Sequence, residues 1–574
     1  MASTVARLII DALADHGVRQ VWGVVGDALN PLTDAIRTRA GVEFIGVRHE
    51  EAAAFAVGAQ AQLTGLIGVC MGTVGPGSIH LLNGLYDAKK SHAPVLAICG
   101  QVPTEEIGSD FFQEVNNDVL FSDVAVWTHT ATSAAQFPQL LELAVNAAYA
   151  EGGVAVLTVP GDVGGLDLPK GTRAPRFAPR AAPVAAPDDQ LDPVVAALTD
   201  EAKVTLLVGQ GARGARDQVL RLADTLAAPM VLSLKAKAGL ERDNPYQVGQ
   251  SGLIGNPAAA KALDGCDVLM MIGTDFPYRE FIPAGKVVVQ LDHAAAHIGR
   301  RTPVRHAVVG DTAATLDRLL PRLSGGRSRA HLDAATGAFA LWREAQGQLA
   351  EPTHDQSLFG RVRSLVDNPD ERIRPEAVAQ AADRHAPETA VFTTDTGMST
   401  VWLSRFVELR GTRDLLGSYN LGSMANALPQ ALGAQAVDRQ RPVWAFCGDG
   451  GLMMLLGDLR TAVSYELPVK LVVFDNGRLG MVKLEQEEGG LPEFGTELDN
   501  PDLAAVATAM GLAARRVSDP EELDDAMRWL ATQPKAALLD VVTNPDEVSV
   551  PAKVKLSQAW GFAIAKSREA LDSA

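Results

Sequence analysis

Two apolar runs in the last third of the chain each end on residues suited to phosphate and metal. Val443-Trp444-Ala445-Phe446-Cys447 leads into Gly448-Asp449-Gly450-Gly451, and the run 469–474 leads into Asp475-Asn476-Gly477. Short apolar runs bounded by turn residues read as buried strands. Both runs alternate with helix-length segments, which demands parallel sheets with right-handed crossovers. Asp449 and Asn476, 27 residues apart, then stand at carboxyl ends of two parallel strands, the edge where open α/β sheets bind ligands. Glycines let backbone N–H groups approach a phosphate. Asp and Asn oxygens suit a hard divalent cation that shares its shell with a diphosphate.

The same strand–helix rhythm fills the chain. The expected fold class is α/β, with three doubly wound parallel-sheet domains: 1–165, 189–323 and 371–545. In the first, strands are expected near 20–25, 44–47, 68–71, 95–99 and 155–159. Residues 166–188, rich in proline, arginine and alanine, read as a surface linker. Residues 324–370, opening on Ser324-Gly325-Gly326-Arg327-Ser328, form a second connection, and 546–574 are a tail. Blocks one and three look alike in rhythm, although no repeat is visible in the letters.

A length of 574 residues accommodates three or four domains. The 51 basic and 69 acidic residues, net charge −18, argue against nucleic acid as a partner. Cys70, Cys99, Cys266 and Cys447 lie in or beside apolar runs without a C-x-x-C, as buried thiols of a reducing compartment do. The N-terminus passes straight into an amphipathic helix and no run of 18 apolar residues occurs, so a cytoplasmic protein is expected, with peripheral attachment to the inner face of the membrane left open.

By itself, Gly448-Asp449-Gly450 is a common turn. A second constellation, Arg48-His49-Glu50-Glu51, follows the strand-like run 42–47 and opens an alanine-rich helix. A carboxylate there can simply favour the helix N-terminus, which suits Glu51. Together the two motifs resemble the thiamine-diphosphate enzymes, which carry R-H-E early and GDG followed by a downstream N late. The resemblance implies a pyrimidine-binding first domain, a diphosphate-binding third domain and a Mg2+ ion. Glu50 would hydrogen-bond the aminopyrimidine and favour the imino tautomer that deprotonates thiazolium C2; the cofactor supplies the carbanion chemistry. Asp449, Asn476 and the carbonyl of Arg478 would hold Mg2+. Gly26, Gly422, Ser423, Gly448, Gly450 and Gly451 would border the cofactor, with the Gly422 carbonyl accepting from its 4′-amino group. Met424, otherwise an ordinary core methionine, would wedge beneath the bent cofactor.

The middle block carries Gly209-Gln210-Gly211 after a strand-like run, a poor dinucleotide fingerprint that also reads as an ordinary βα turn. Downstream stand Ser251-Gly252-Leu253-Ile254, then Gly273-Thr274-Asp275-Phe276-Pro277-Tyr278-Arg279, then Gln290-Leu291-Asp292. All could line one crevice at the sheet's carboxyl edge. They resemble the FAD-binding segments of flavin-containing thiamine enzymes, which implies that Asp292 binds the adenosine ribose and Arg279 the pyrophosphate or flavin.

Across nearly its whole length the chain resembles the bacterial pyruvate:quinone oxidoreductases, also called pyruvate oxidases. The resemblance rests on Trp22-Gly23-Val24, Phe112-Gln113-Glu114, Gly417-Ser418-Tyr419-Asn420, Gly422-Ser423-Met424-Ala425-Asn426-Ala427 and Gly495-Thr496-Glu497-Leu498. It implies oxidative decarboxylation of pyruvate to acetate, with electrons passed through FAD to a membrane quinone. Phe112 and Gln113 would sit over the reacting carbon. Glu485 would handle protons or acetyl transfer, though it reads equally as a surface carboxylate beside Glu487 and Glu488. The resemblance also implies a homo-oligomer, a dimer at least and more often a dimer of dimers, with Glu50 and Asp449 of one site on different chains.

Acetolactate synthase is the chief rival, with a non-redox FAD. That family resembles this chain through Leu479-Gly480-Met481-Val482, then typically places glutamine and tryptophan where Leu484 and Glu485 stand. Phosphate-dependent pyruvate oxidase is a second rival that Glu485 does not exclude, and a non-catalytic cofactor-binding scaffold is a third. In the tail, Leu556, Ala559, Trp560, Ala563 and Ile564 form a helical stripe flanked by Lys553, Lys555, Lys566 and Arg568. Such a helix suits a lipid bilayer surface or docks on the third block; Lys555-Leu556-Ser557-Gln558-Ala559-Trp560-Gly561-Phe562 resembles the lipid-triggered anchor of the quinone-reducing family.

Overall fold

The structure, a computed structural model, describes residues 4–178, 182–274, 276–351, 354, 368 and 370–547. The tail from residue 548, expected to be amphipathic, and Asp275 lie outside the described residues.

Three six-stranded sheets, every strand paired parallel, carry the chain. The first holds β1 (Gln20–Gly23), β2 (Glu43–Gly46), β3 (Gly68–Gly72), β4 (Val95–Gln101), β5 (Ala125–Thr130) and β6 (Val154–Pro160) in the order β2-β1-β3-β4-β6-β5. The middle sheet holds β7 (Val204–Val208), β8 (Met230–Leu232), β9 (Gln247–Gln250), β10 (Val268–Ile272), β11 (Val287–Asp292) and β12 (His306–Val309), ordered β12-β11-β10-β7-β8-β9. The third holds β13 (Val391–Thr394), β14 (Asp414–Gly417), β15 (Val443–Gly448), β16 (Lys470–Asp475), β17 (Ala513–Val517) and β18 (Ala537–Val542), ordered β14-β13-β15-β16-β18-β17.

Central strands such as β4 and β16 are buried along their whole length, because helices cover both faces of an all-parallel sheet. That is why they read as unbroken apolar runs. The first and third sheets share one topology, which accounts for their common rhythm. Counted from its own first strand, the middle sheet has the order 3-2-1-4-5-6 of dinucleotide-binding folds. Its order reverses between β7 and β10.

The helix Glu50–Thr64 joins the first and third domains. His49 caps it, Nδ1 accepting from Glu51 N–H at 3.3 Å, and Gly65 ends it in the left-handed region at φ 66°. Its residues from Ala52 to Ala61 are all buried, as a stretch without a polar face must be. It packs on the first sheet and on the helix Ala427–Val437, giving the two domains one continuous core. Small residues set the spacing: a Cβ at Gly433 would lie 2.2 Å from the Ala56 carbonyl oxygen. Polar contacts fix the register. Gln60 donates to the Gly433 carbonyl at 3.3 Å, and Gln430 to Asp87 Oδ2 at 2.9 Å.

Candidate functional site

Two clefts open at the carboxyl edges of the middle and third sheets. The first lies in the third domain and is walled by Asp395 to Ser399, Met424, Gly448 to Gly451, Asn476 and Arg478 among others. Asp449 opens a short helix immediately after β15. Its Oδ2 accepts from Gly477 N–H at 2.8 Å and from Asn500 Nδ2 at 2.7 Å, so the carboxylate is held before any ligand arrives. Burial, with Asp475 nearby, pushes its pKa up to about 6. A cation bound there would restore the ionised form.

Gly477, at φ 64°, makes the turn between the two other proposed ligands. Asn476 Oδ1 accepts from Arg478 N–H at 3.0 Å. The Arg478 guanidinium is drawn to Glu493 and Glu497. Residues 496–498 pin the turn, Leu479 N–H donating to Thr496 and Leu498 N–H to Gly477 at 2.8 Å each. Gly450 leaves room for Met424, whose Cε would be 3.4 Å from a Cβ there. Gly422 sits at φ 82° with open space beside it. Ser423 faces the first domain, its Oγ accepting from Asn83 Nδ2 at 2.9 Å.

Two residues escaped the sequence reading: Asp395 in the wall of this cleft and Asn500 beside it, bonded to Asp449. Asp395 ends the β13 run and is buried; its carboxylate accepts from Ala427 N–H at 2.8 Å and Gly448 N–H at 3.1 Å. Burial pushes its pKa up to about 7. Its position after an apolar run was the available signal. Asn500 lies in a polar turn with no strand before it, and only the folded chain brings it to Asp449.

The second, larger cleft lies between the middle and third domains. Gly211, Ser251, Leu253, Ile254, Gly273, Thr274, Phe276, Pro277, Tyr278 and Asp292 line it, as do Ser91 and His92 from the first domain. Two glycine turns interlock at the β7/β10 reversal. Gly211 N–H donates to the Gly273 carbonyl at 3.0 Å, and Gly273 sits at φ 56° with no room for a Cβ against Gly211. Gly209 supports the turn from behind rather than lining the cleft, and Gly252, at φ 95°, packs against the Tyr278 ring. Arg279 lies off the cleft wall: it is exposed, and its guanidinium donates to the Arg300 carbonyl at 3.0 Å. Asp292 is buried at the cleft, Oδ1 accepting from Ala294 N–H at 3.0 Å and paired with His297 Nδ1 at 2.9 Å.

Thr396, Gly397 and Met481 line both clefts, so one thin wall separates them. The helix Gly480–Glu488 starts at that wall and turns Glu485 into the second cleft. There burial, Glu280 and Glu485 hold the Tyr278 phenol above its usual pKa.

The first-domain candidates form a separate group. Glu50 is buried and its Oε2 lies 2.9 Å from His80 Nδ1, with the His80 ring stacked on His49 at 4.4 Å. Gly26, Thr73 and Gly77 converge beside it. A Cβ at Gly26 would collide with Thr73 at 2.3 Å, and one at Gly77 would lie 3.1 Å from Glu50 Oε1. Phe112, 78% exposed, and Gln113, at φ 66°, project on a loop braced by Glu114, which accepts from Gly108 N–H at 2.5 Å and Phe111 N–H at 3.2 Å. None of Gly26, Glu50, Phe112 and Gln113 lines the Asp449 cleft of the same chain.

A buried carboxylate and an asparagine beside open glycines at a sheet edge fit a diphosphate held through a divalent cation, and the middle domain has a dinucleotide-binding order. These features, together with three family models, define the class: an enzyme dependent on thiamine diphosphate. Models of the thiamine pyrophosphate enzymes match in three parts: the N-terminal TPP binding domain at 3–120, the central domain at 191–319 and the C-terminal TPP binding domain at 395–541. YdaP of Bacillus subtilis is 36% identical over 564 residues, covering 97% of this chain and 95% of that one. Pyruvate oxidase of Lactiplantibacillus plantarum is 31% identical over 97% of this chain and 91% of its own. The acetolactate synthase isozyme 2 large subunit of Escherichia coli is 31% identical over 93% and 95%. The chain belongs to the thiamine pyrophosphate enzyme family.

Proposed function

We propose that the protein oxidises pyruvate, with water supplying the new oxygen, to acetate and CO2, passing two electrons through FAD to a membrane quinone. The observation that carries this reading is the wall of Thr396, Gly397 and Met481 common to both clefts. It would keep a flavin in the second cleft close to substrate in the first. Bound thiamine diphosphate would supply the nucleophilic carbon and the electron sink that decarboxylation of pyruvate requires.

The residues supply the setting. Asp449, Asn476 and the Arg478 carbonyl would hold Mg2+ and through it the diphosphate. Met424 would hold the cofactor bent. Glu50 would keep a proton at the aminopyrimidine nitrogen, and Phe112 and Gln113 would shield and orient the pyruvate carboxylate. Because Glu50 lies off the Asp449 cleft of its own chain, the reading requires a second subunit to complete each site. Glu485 would serve proton transfer at the flavin side. Membrane attachment is assigned to the tail, which lies outside the described residues.

The alternative is an acetolactate synthase-type carboligase, equally similar in overall identity to the relatives above. Leu484, buried in the third domain, and Glu485 stand where that family typically has glutamine and tryptophan, which favours oxidation. Anaerobic mixing with pyruvate, Mg2+ and thiamine diphosphate tests the choice. Bleached flavin absorbance, restored by a soluble quinone, supports the proposal. Unbleached flavin with accumulating acetolactate overturns it in favour of carboligation. Reoxidation by oxygen alone, with a requirement for phosphate, assigns the phosphate-dependent oxidase.

A further inference from the structure

Lys235 is the one lysine or arginine among the described residues that line the second cleft. Asp292, already met by His293 at 3.3 Å and His297 at 2.9 Å, and Glu485 line it too, and a flavin dinucleotide would add a diphosphate. A site with that balance needs a fixed cation. Arg279, the arginine nearest in sequence to the cleft-lining Tyr278, is exposed and off the wall.

Local structure places Lys235 beside the β7/β10 reversal. Ser233 N–H donates to the Val208 carbonyl at 2.9 Å, which brings the chain after β8 next to the end of β7. Lys235 Nζ donates to Ser91 Oγ at 2.9 Å, across the junction with the first domain. An ammonium has three donors, so this bond orients the group and leaves others for a ligand. Behind it stands buried Asp87, its Oδ2 engaged by Gln430 at 2.9 Å. Burial draws the Lys235 pKa down to about 8, and the Asp87 charge opposes that. An anion in the cleft would favour the charged form further.

We propose that Lys235 is the cation that binds the anionic part of FAD, its diphosphate or its reduced ring, and that Ser91 of the first domain positions it. The inference rests on the FAD reading above. It links seating of the flavin to the junction between first and middle domains.

The test uses full-length protein with Mg2+ and thiamine diphosphate, stripped of flavin and titrated with FAD. Lys235→Met should weaken FAD binding about tenfold or more, the worth of one charge-assisted hydrogen bond. Lys235→Arg, which keeps the charge, should bind within about threefold of wild type, and Ser91→Ala should fall between. Competition by ADP and the flavin midpoint potential separate the two sources of charge. If ADP affinity falls in parallel with FAD, Lys235 holds the diphosphate; if ADP is unaffected and the potential drops, it faces the ring. Unchanged FAD affinity, ADP affinity and potential in Lys235→Met overturn the proposal while the FAD reading stands. A wild-type chain that takes up no FAD overturns both.

Discussion

Asn500 Nδ2 donates to Asp449 Oδ2 at 2.7 Å and lies 3.2 Å from Asp475 Oδ1. One amide thus steadies the proposed metal ligand against the buried carboxylate behind it, and Arg516 closes the series on Asp475 at 3.1 Å and Asp540 at 2.8 Å. Removing a partner that orients a metal ligand typically costs about 10–100-fold in metal affinity. Asn500→Ala should therefore weaken Mn2+ binding in the presence of thiamine diphosphate by about that factor, read from the electron paramagnetic resonance of free Mn2+. Unchanged affinity would mean that Asp449 is oriented by Gly477 alone.

Glu50 sits at a helix start with His80 as its side-chain partner. Replacing it by glutamine keeps the shape and removes the acid. Turnover should fall by about 10²–10⁴-fold, the usual worth of a positioned proton-transfer group, while calorimetric titration finds thiamine diphosphate binding largely intact. Retained turnover would support a different activating group.

Phe112 is exposed and rests on a loop whose bracing comes from Glu114. Its loss should leave stability within about 0.5 kcal/mol of wild type, read from thermal unfolding, as for surface positions generally. The proposed function predicts a loss of kcat/KM with pyruvate all the same. A Phe112→Ala enzyme as active as wild type would remove Phe112 from the site.

Gly433 meets Ala56 so closely that a Cβ would lie 2.2 Å from its carbonyl oxygen. Gly433→Val must push the two helices apart. Overpacking of this kind costs about 1–3 kcal/mol, occasionally more, and should appear as a lower thermal midpoint. If stability is unchanged, the helix pair is not the tight junction between first and third domains.

Asp395 offers a pH signature. Its folded pKa, about 7 against an ordinary value of 3.8, means that the native state holds a proton the unfolded state has released between those values. Its contribution to stability is therefore largest at low pH and is lost as pH rises through about 7. Cofactor-free protein should lose a few kcal/mol of stability from this group between pH 5 and pH 8, as judged by urea midpoints. Asp395→Asn should flatten that slope; an identical slope would assign it to other groups, such as Asp540, which is also raised to about 7.

Much of the architecture was legible in the letters because its signals are local. A strand buried on both faces must be apolar throughout, and a turn that brings backbone to phosphate must use glycine. Hence the parallel sheets, the loops after β7, β10, β15 and β16, and the candidates Glu50, Asp449 and Asn476 could be read one segment at a time. The resemblance to thiamine-diphosphate enzymes came from those same short motifs.

Side-chain direction is not legible in this way. Arg279 follows cleft-lining Tyr278 by one position, yet it is exposed and donates to the Arg300 carbonyl, while Lys235, in a stretch without a motif, reaches the cleft. Asn500 and Asp395 met Asp449 and Gly448 only once sheet and loops had packed.

The sequence by itself determined most of the buried strands, where the glycine turns fall and that Asp449 and Asn476 end two of them, since each follows from patterning within a few residues; the half-buried strand β5 (Ala125–Thr130) carries no such apolar run. Only the tertiary structure decided which side chains share a cleft, that one wall serves two clefts, and that Glu50 lies off the Asp449 cleft of its own chain. Those outcomes depend on contacts between residues hundreds of positions apart, and long-range packing leaves no local periodicity to read.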